Sequence, residues 1–213
     1  MLTVRLILER FDKDGKLLEK REQPSKSFVK HLFDLFYVYY TQAIFAGVND
    51  ITATPRTLRE PQSGQYWGNL KVGSPPGHSL VCIPQQAGYW TGTTPHVGEE
   101  IGIQVGIGVA AVTPTDDALA TRILHGRAAG QLEYGGCELI GLAFADPNGQ
   151  FTIRRYFTNN SGGLITVNEV GIYSVGQPAG SSYIFLIARD LTGGVAVVDT
   201  ELLRVTYVIS ITV

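Results

Sequence analysis

Of the 213 residues, 44% are hydrophobic and only 17% charged, with 25 glycines and 10 prolines; this excludes a disordered chain and points to many short strands and turns. The formal net charge of −2 excludes a surface that draws in nucleic acid or an anionic membrane. Two distant cysteines, Cys82 and Cys137, exclude a disulfide framework and a C-x-x-C metal site, and fit synthesis in a reducing cytoplasm.

At the start, Leu2, Val4, Leu6 and Leu8 alternate with Thr3, Arg5, Ile7 and Glu9, the period of a half-buried strand. Asp12–Gly15 (DKDG) predicts a turn, with Asp14–Gly15 suited to positive φ, and Lys16–Glu22 returns as a second strand. A calcium loop is the weaker reading, because Gly15 falls one place after Asp14 and no distal Glu stands in register. The opening run is too charged for a signal peptide, and the uncharged stretch 170–188 is broken by Gly, Pro and Ser, so no membrane span is expected. Lys16, Lys20 and Arg21, and further on Arg154–Arg155, are expected on solvated faces.

From Ser27, a capping residue, Phe28, Leu32, Leu35, Phe36 and Tyr39 recur at three- and four-residue spacing and predict one long N-terminal aromatic helix. Phe33, Tyr37 and Tyr40 carry aromatic surface to its other sides, so the helix is expected to pack under a sheet or, in the sharper reading, to meet another subunit with its second face. Residues 47–98 change texture: Pro and Gly recur, and Tyr66–Trp67 and Tyr89–Trp90 stand as pairs. That stretch predicts an extended arm or insertion, ordered by contact with something else.

Gly106, Gly108 and Ala111 have the G-x-G-x-x-A spacing of a dinucleotide site, but the glycines lie in an alternating strand whose bulky positions are Ile101, Ile103, Val105, Ile107 and Val109. A phosphate cradle needs them after the strand, at a helix N-terminus. Here they leave one face bare for another element to approach closely. A short helix is predicted from Thr113, with Pro114 first and Asp116 third, ending near His125–Gly126.

The remainder reads as strands: 131–150 with a turn at Asp146–Gly149, then Phe151–Phe157 and Leu164–Val175 joined as a hairpin through TNNSGG (158–163). The apolar parity switches between Val167 and Val170, which predicts a bulge near Asn168–Glu169. Ser182–Leu191 is a continuous apolar run suited to a strand buried on both faces, and Leu203, Val205, Tyr207, Ile209, Ile211 and Val213 alternate in the last strand. Together these predict a mainly β fold: one domain over 1–213, an antiparallel β-sandwich of jelly-roll type with the long helix, the short helix and the 47–98 arm.

Groups for chemistry are sparse. No G-x-S-x-G, H-E-x-x-H or P-loop occurs, and His31, His78, His96 and His125 are scattered, with His125 expected to cap a helix end. Asp116–Asp117 suit the first turn of a helix. Arg189–Asp190 read as a salt bridge or turn, and Asn159–Asn160–Ser161 is a glycosylation acceptor only by pattern. The expectation is no enzyme, no cofactor and no metal.

The segments IGIGVAAVTPTDDALATRILHG, FTIRRYFTNNSGGLITVNEVGIY, FLIARDL and LRVTYVISITV together resemble virion structural proteins of tailed bacteriophages, as does the opening DKDGKLLEKREQPSKSFVKHL. The resemblance covers roughly 1–40 and 101–213, rests on turns and strand edges, and leaves 50–97 unmatched. It implies a shell, neck (collar) or tail component made in the host cytoplasm and carried in the virion, whose partners are its own copies and other virion proteins. Phe33, Tyr37, Tyr40, Trp67, Tyr89 and Trp90 are the candidate interface residues. Two other function classes compete. In a carbohydrate- or receptor-binding tail module, Trp67 and Trp90 would stack on a host-surface glycan. A small hydrolase would need a convergent acid–base set.

Overall fold

The structure, a computed structural model, describes residues 2–25, 28–29, 32, 45–49, 55–58, 101–176 and 183–212. The fold is mainly β, with antiparallel sheets. Ten strands follow in chain order: β1 (Leu2–Phe11), β2 (Leu17–Pro24), β3 (Phe45–Asn49), β4 (Pro55–Leu58), β5 (Gly102–Gly106), β6 (Glu133–Ala145), β7 (Asn148–Thr158), β8 (Ile165–Gly176), β9 (Tyr183–Val197) and β10 (Leu202–Thr212). They form a five-stranded sheet in the order β2-β1-β10-β7-β6, a three-stranded sheet β5-β8-β9 and a separate ribbon β3-β4.

Where alternation is strong, the strands lie as predicted. In β1, Val4, Leu6 and Leu8 are buried, and in β10 Leu203, Val205 and Tyr207 are. The Asp12–Gly15 turn closes because the Asp12 carboxylate accepts the amides of Asp14 and Lys16, while Gly15 takes a φ of 82°. The Asp146–Pro147 turn joins β6 to β7. Side chains of both larger sheets join one hydrophobic core, with Leu6, Phe157 and Val205 from the first and Ile103, Val170 and Phe185 from the second. β9 is buried on both faces, as its apolar run predicts: Phe185 and Ile187 enter that core, and Leu186 enters a smaller cluster with Val29, Leu119 and Tyr173.

Three expectations are corrected. Residues 113–125 form turns and bends, not a helix. The Asp116 carboxylate accepts the Thr113 amide, one of the two bonds of a capping box, and also the Thr113 hydroxyl, but the amides that would extend a helix, those of Leu119, Ala120 and Thr121, donate to side chains of β8 instead. The long aromatic helix is not seen. Of its span, Phe28 forms an isolated β-bridge with Ala188, Phe45 begins β3, and most of the remainder lies outside the described residues. Within residues 47–98, β4 and part of β3 form a ribbon that Pro55 and the Gly/Pro texture concealed.

The third correction concerns TNNSGG, which joins no hairpin: β7 and β8 lie in different sheets, and so do β9 and β10. The two connections run side by side and are stitched by Asn159. Its side-chain amide donates to the carbonyls of Gly163 and Val197, its own amide donates to the Glu201 carbonyl, and its carbonyl accepts from Thr200. Being fully buried, Asn159 is no glycan acceptor. Replacing it by Ala is expected to cost about 1–3 kcal/mol in urea denaturation, the cost of orphaned buried carbonyls. Beside it, Thr200 holds a φ of 72°, a left-handed conformation that a β-branched residue resists. Thr200→Gly is expected to raise stability by about 1 kcal/mol, read as a higher denaturation midpoint.

Candidate functional site

A heavily bonded group sits where the bulge is predicted. Val167 pairs with Val195 and Glu169 with Leu191, so Asn168 alone faces Thr192, Gly193 and Gly194. The extra residues thus belong to β9, and Gly193 and Gly194 supply the positive φ (72° and 83°) that the loop-out needs. Val167 and Val170 both enter the main core, and Glu169 between them turns onto the segment that follows β5.

Glu169 is fully buried. One carboxylate oxygen accepts the amides of Gly108 (3.0 Å) and Thr121 (2.8 Å); the other accepts the amide of Ala120 (3.0 Å) and Nε of Arg189 (2.8 Å). Arg189 passes its remaining donors to Asp116 (2.7 Å) and to the Ala110 carbonyl (3.0 Å). A buried charge is tolerated only when paired and hydrogen-bonded, and here the pairing holds residues 108–121 against the sheet. The close approach expected of the glycines is present: a methyl on Gly106 would stand 2.5 Å from Glu169 Oε1 and 2.6 Å from the Thr121 carbonyl, and one on Gly108 2.6 Å from Ala120 Cβ. Both glycines are buried, although β5 ends at Gly106 and Gly108 lies just beyond it. Gly106→Ala is expected to destabilise by about 1–3 kcal/mol, because the obstacle is a backbone carbonyl that cannot move aside.

Burial pushes the Asp116 carboxyl up, but hydrogen bonds from Thr113 and the Arg189 guanidinium outweigh it and hold the group below the usual carboxylate range. A carboxyl depressed in the folded state adds stability that is complete above its unfolded value and is lost as pH falls through the folded one. The 107–121 segment is therefore expected to loosen in acid. Amide exchange of Thr113, followed from neutral to strongly acidic pH, checks this, and Asp116→Asn should flatten the dependence.

A second anchor lies on the next residue of β9. Asp190 accepts from the Ser25 hydroxyl (2.7 Å) and the Tyr207 hydroxyl (3.0 Å); burial, then the neighbouring Asp190 charge, pushes the Tyr207 phenol far up. Ser25 also donates its amide to Val4, and Phe28 and Val29 then bond β9 at Ala188 and Ile187. Arg189 and Asp190 are therefore mid-strand pairs, not a turn. His125 caps no helix: its Nδ1 accepts the Tyr134 amide.

Arg155 contradicts its expected solvated position. It is fully buried, donates to the carbonyls of Gly135 (2.9 Å), Ile101 and Ile103 (both 3.0 Å), and lies 4.8 Å from the Tyr134 ring centroid. Because Ile101 leads into β5 and Ile103 lies on it, this arginine of β7 ties one larger sheet to the other. Its neighbour Arg154 is half-buried and pairs with Glu138. A signal was present: Arg155 shares the parity of Ile153 and Phe157, the buried face of β7.

The candidate interface residues Phe33, Tyr37, Tyr40, Trp67, Tyr89 and Trp90, and His31, His78 and His96, lie outside the described residues. What the described residues do bring together is apolar surface at the end of the five-stranded sheet away from the Asn159 corner. Leu2 pairs with Ile211, Ile211 with Gly149, and Gly149 with Phe144. Residues directly opposite share a face, and Leu2 is in phase with buried Val4, Leu6 and Leu8, so this row continues the core face. It is nonetheless open: Leu2 is 57% exposed, Ile211 47% and Phe144 68%. Alternation marks these positions as apolar but cannot tell where the covering sheet stops. Among the described residues no group of three or more His, Cys, Asp or Glu could hold a metal ion, and no helix is long and apolar enough to cross a membrane. Comparison with protein-family models, curated proteins and solved structures finds no match to this chain.

Proposed function

We propose that this chain is a non-enzymatic structural component of a bacteriophage virion that assembles with its own copies and with other virion proteins at the capsid surface, neck or tail. The observation that carries the reading is the open row Leu2–Ile211–Phe144 on a face that is core elsewhere. Large side chains in contact with water on such a face are stabilised when a neighbour covers them. The buried charges agree with it: Glu169, Arg189 and Arg155 spend their bonds on holding backbone in place. The resemblance to tailed-phage virion proteins supplies the setting, and Phe33, Tyr37, Tyr40, Trp67, Tyr89 and Trp90 are the aromatic positions for further contacts. At the finer level of fold, we read the two larger sheets as the layers of a jelly-roll-like sandwich, supported by their shared core and by the connections β5–β6, β7–β8 and β9–β10 that pass between them.

The test is to purify particles and count copies of this chain by quantitative mass spectrometry, following Trp67 and Trp90 fluorescence on assembly. Many copies per particle and a loss of tryptophan solvent exposure are expected. Absence from particles overturns the proposal. Glycan binding by the isolated chain, lost in Trp67→Ala or Trp90→Ala, would replace it with the receptor-binding reading.

A further inference from the structure

A β-sheet edge is a row of unpaired amides and carbonyls, and proteins cover, charge or pair such edges. Among the described residues most edges are so treated. β2 carries Glu19, Lys20, Arg21 and Glu22 and ends in Pro24. β9 is bridged by Phe28 and Val29. β5 and its extension are closed by residues 121–123, through Ile107 to the Thr121 carbonyl and Ile123 to the Val105 carbonyl. The near half of β6 is covered at Leu132 and Tyr134 by His125 and at Gly135 by Arg155.

Two stretches are left. The far half of β6, from Ile140 to Ala145, carries no charged residue, exposes Ile140 and Phe144, and has only β7 beside it. The bulge at Gly141 (φ 37°) and Leu142 confines its straight part to residues 143–145. The other stretch is the outer edge of β3. The β3–β4 ribbon bonds to neither larger sheet, and a two-stranded ribbon alone is at best marginally stable in water. Its β4 side carries Pro55 and Arg56, which blunt an edge, whereas β3 (FAGVN) carries neither Pro nor charge. Among the described residues, two short, uncharged edges are thus left without a partner strand.

We propose that β3 of one copy adds as a strand to the far half of β6 of a second copy. Main-chain hydrogen bonds supply the affinity, and the apolar row beginning at Phe144 seats the incoming side chains. The inference deepens the assembly reading above and rests on it. Because the two edges differ, the contact is head-to-tail and generates a ring or a filament, not an isologous dimer.

The test uses the full chain. Ala143→Lys places a charge on the β6 edge, Val48→Lys places one on β3, and Leu18→Lys on β2 is the control. By sedimentation velocity, the wild type and the control are expected to form assemblies larger than a dimer, while each of the other two variants stays monomeric at an unchanged melting temperature. Mixed one to one, those two should give a dimer that grows no further, since each supplies the half the other lacks. Independently of any variant, amide exchange at 143–145 should slow when the wild type assembles. Wild-type assembly by either variant, failure of the mixture to pair, or unchanged exchange at 143–145 would overturn the proposal while leaving assembly through other surfaces standing. A wild type that stays monomeric and is absent from particles would remove both readings.

Discussion

Glu169→Ala is expected to lower the free energy of unfolding by about 3–5 kcal/mol, the cost of removing one partner of a buried ion pair. The carboxylate is fully buried, and its loss strands the amides of Gly108, Ala120 and Thr121 and leaves Arg189 with only Asp116 as its charged partner. Domains of this kind are stable by roughly 5–15 kcal/mol, so the loss is a large share of the whole. Glu169→Gln keeps the shape but turns an NH2 toward groups that are themselves donors, and should recover only part of it. Urea denaturation gives the size, and amide exchange gives the place: residues 107–121 should lose protection before the five-stranded sheet does. A Glu169→Ala protein within about 1 kcal/mol of wild type would show that the segment is held by other contacts, since that is what an exposed pair contributes.

Arg155→Ala is expected to cost about 3 kcal/mol or more, because a hydrogen bond from a charged donor contributes about 1.5–3 kcal/mol and this residue makes several. It also opens a cavity beside Tyr134 and Phe157. Arg155→Met separates the two effects: it refills the space but leaves the carbonyls of Ile101, Ile103 and Gly135 short of a donor. It should stay about 2 kcal/mol below wild type on the same account. Tyr134 offers a local readout, as burial in this setting pushes its phenol up to about 12. The Arg155 charge lowers that value, so Arg155→Met, which removes the charge without opening the cavity, should push the phenol further up, followed by ultraviolet difference absorbance.

The further test by strand complementation differs in kind from these two. Glu169 and Arg155 concern how the protomer holds itself together, whereas the β3 and β6 edges concern what it joins. A protomer weakened at Glu169 or Arg155 should lose assembly only in proportion to its unfolding. Ala143→Lys should lose assembly while folding normally.

Much of the fold was legible in the residues alone. Alternation located β1, β7, β8 and β10, the apolar run located β9, and Asp12–Gly15 and Asp146–Gly149 marked their turns. The parity switch between Val167 and Val170 marked the irregularity opposite Gly193–Gly194, and the bare face of Gly106 and Gly108 marked a close approach. These features are local: the period of two states which side of a strand is buried, and glycine states where a side chain has no room. The tertiary structure alone decided which strands are neighbours. TNNSGG has hairpin composition, yet it carries the chain from one sheet to the other because Asn159 bonds a connection far along the chain. Likewise Thr113–Asp116 has one bond of a helix start, from the Thr113 amide to the Asp116 carboxylate. The amides beyond it are claimed by the carboxylate of Glu169, 48 residues after Thr121, and an acceptor brought in by folding outcompetes the helical carbonyls. Whether an apolar residue in phase with the core is covered, as Leu6 is and Leu2 is not, depends on how far the facing sheet reaches, a distance no local pattern encodes.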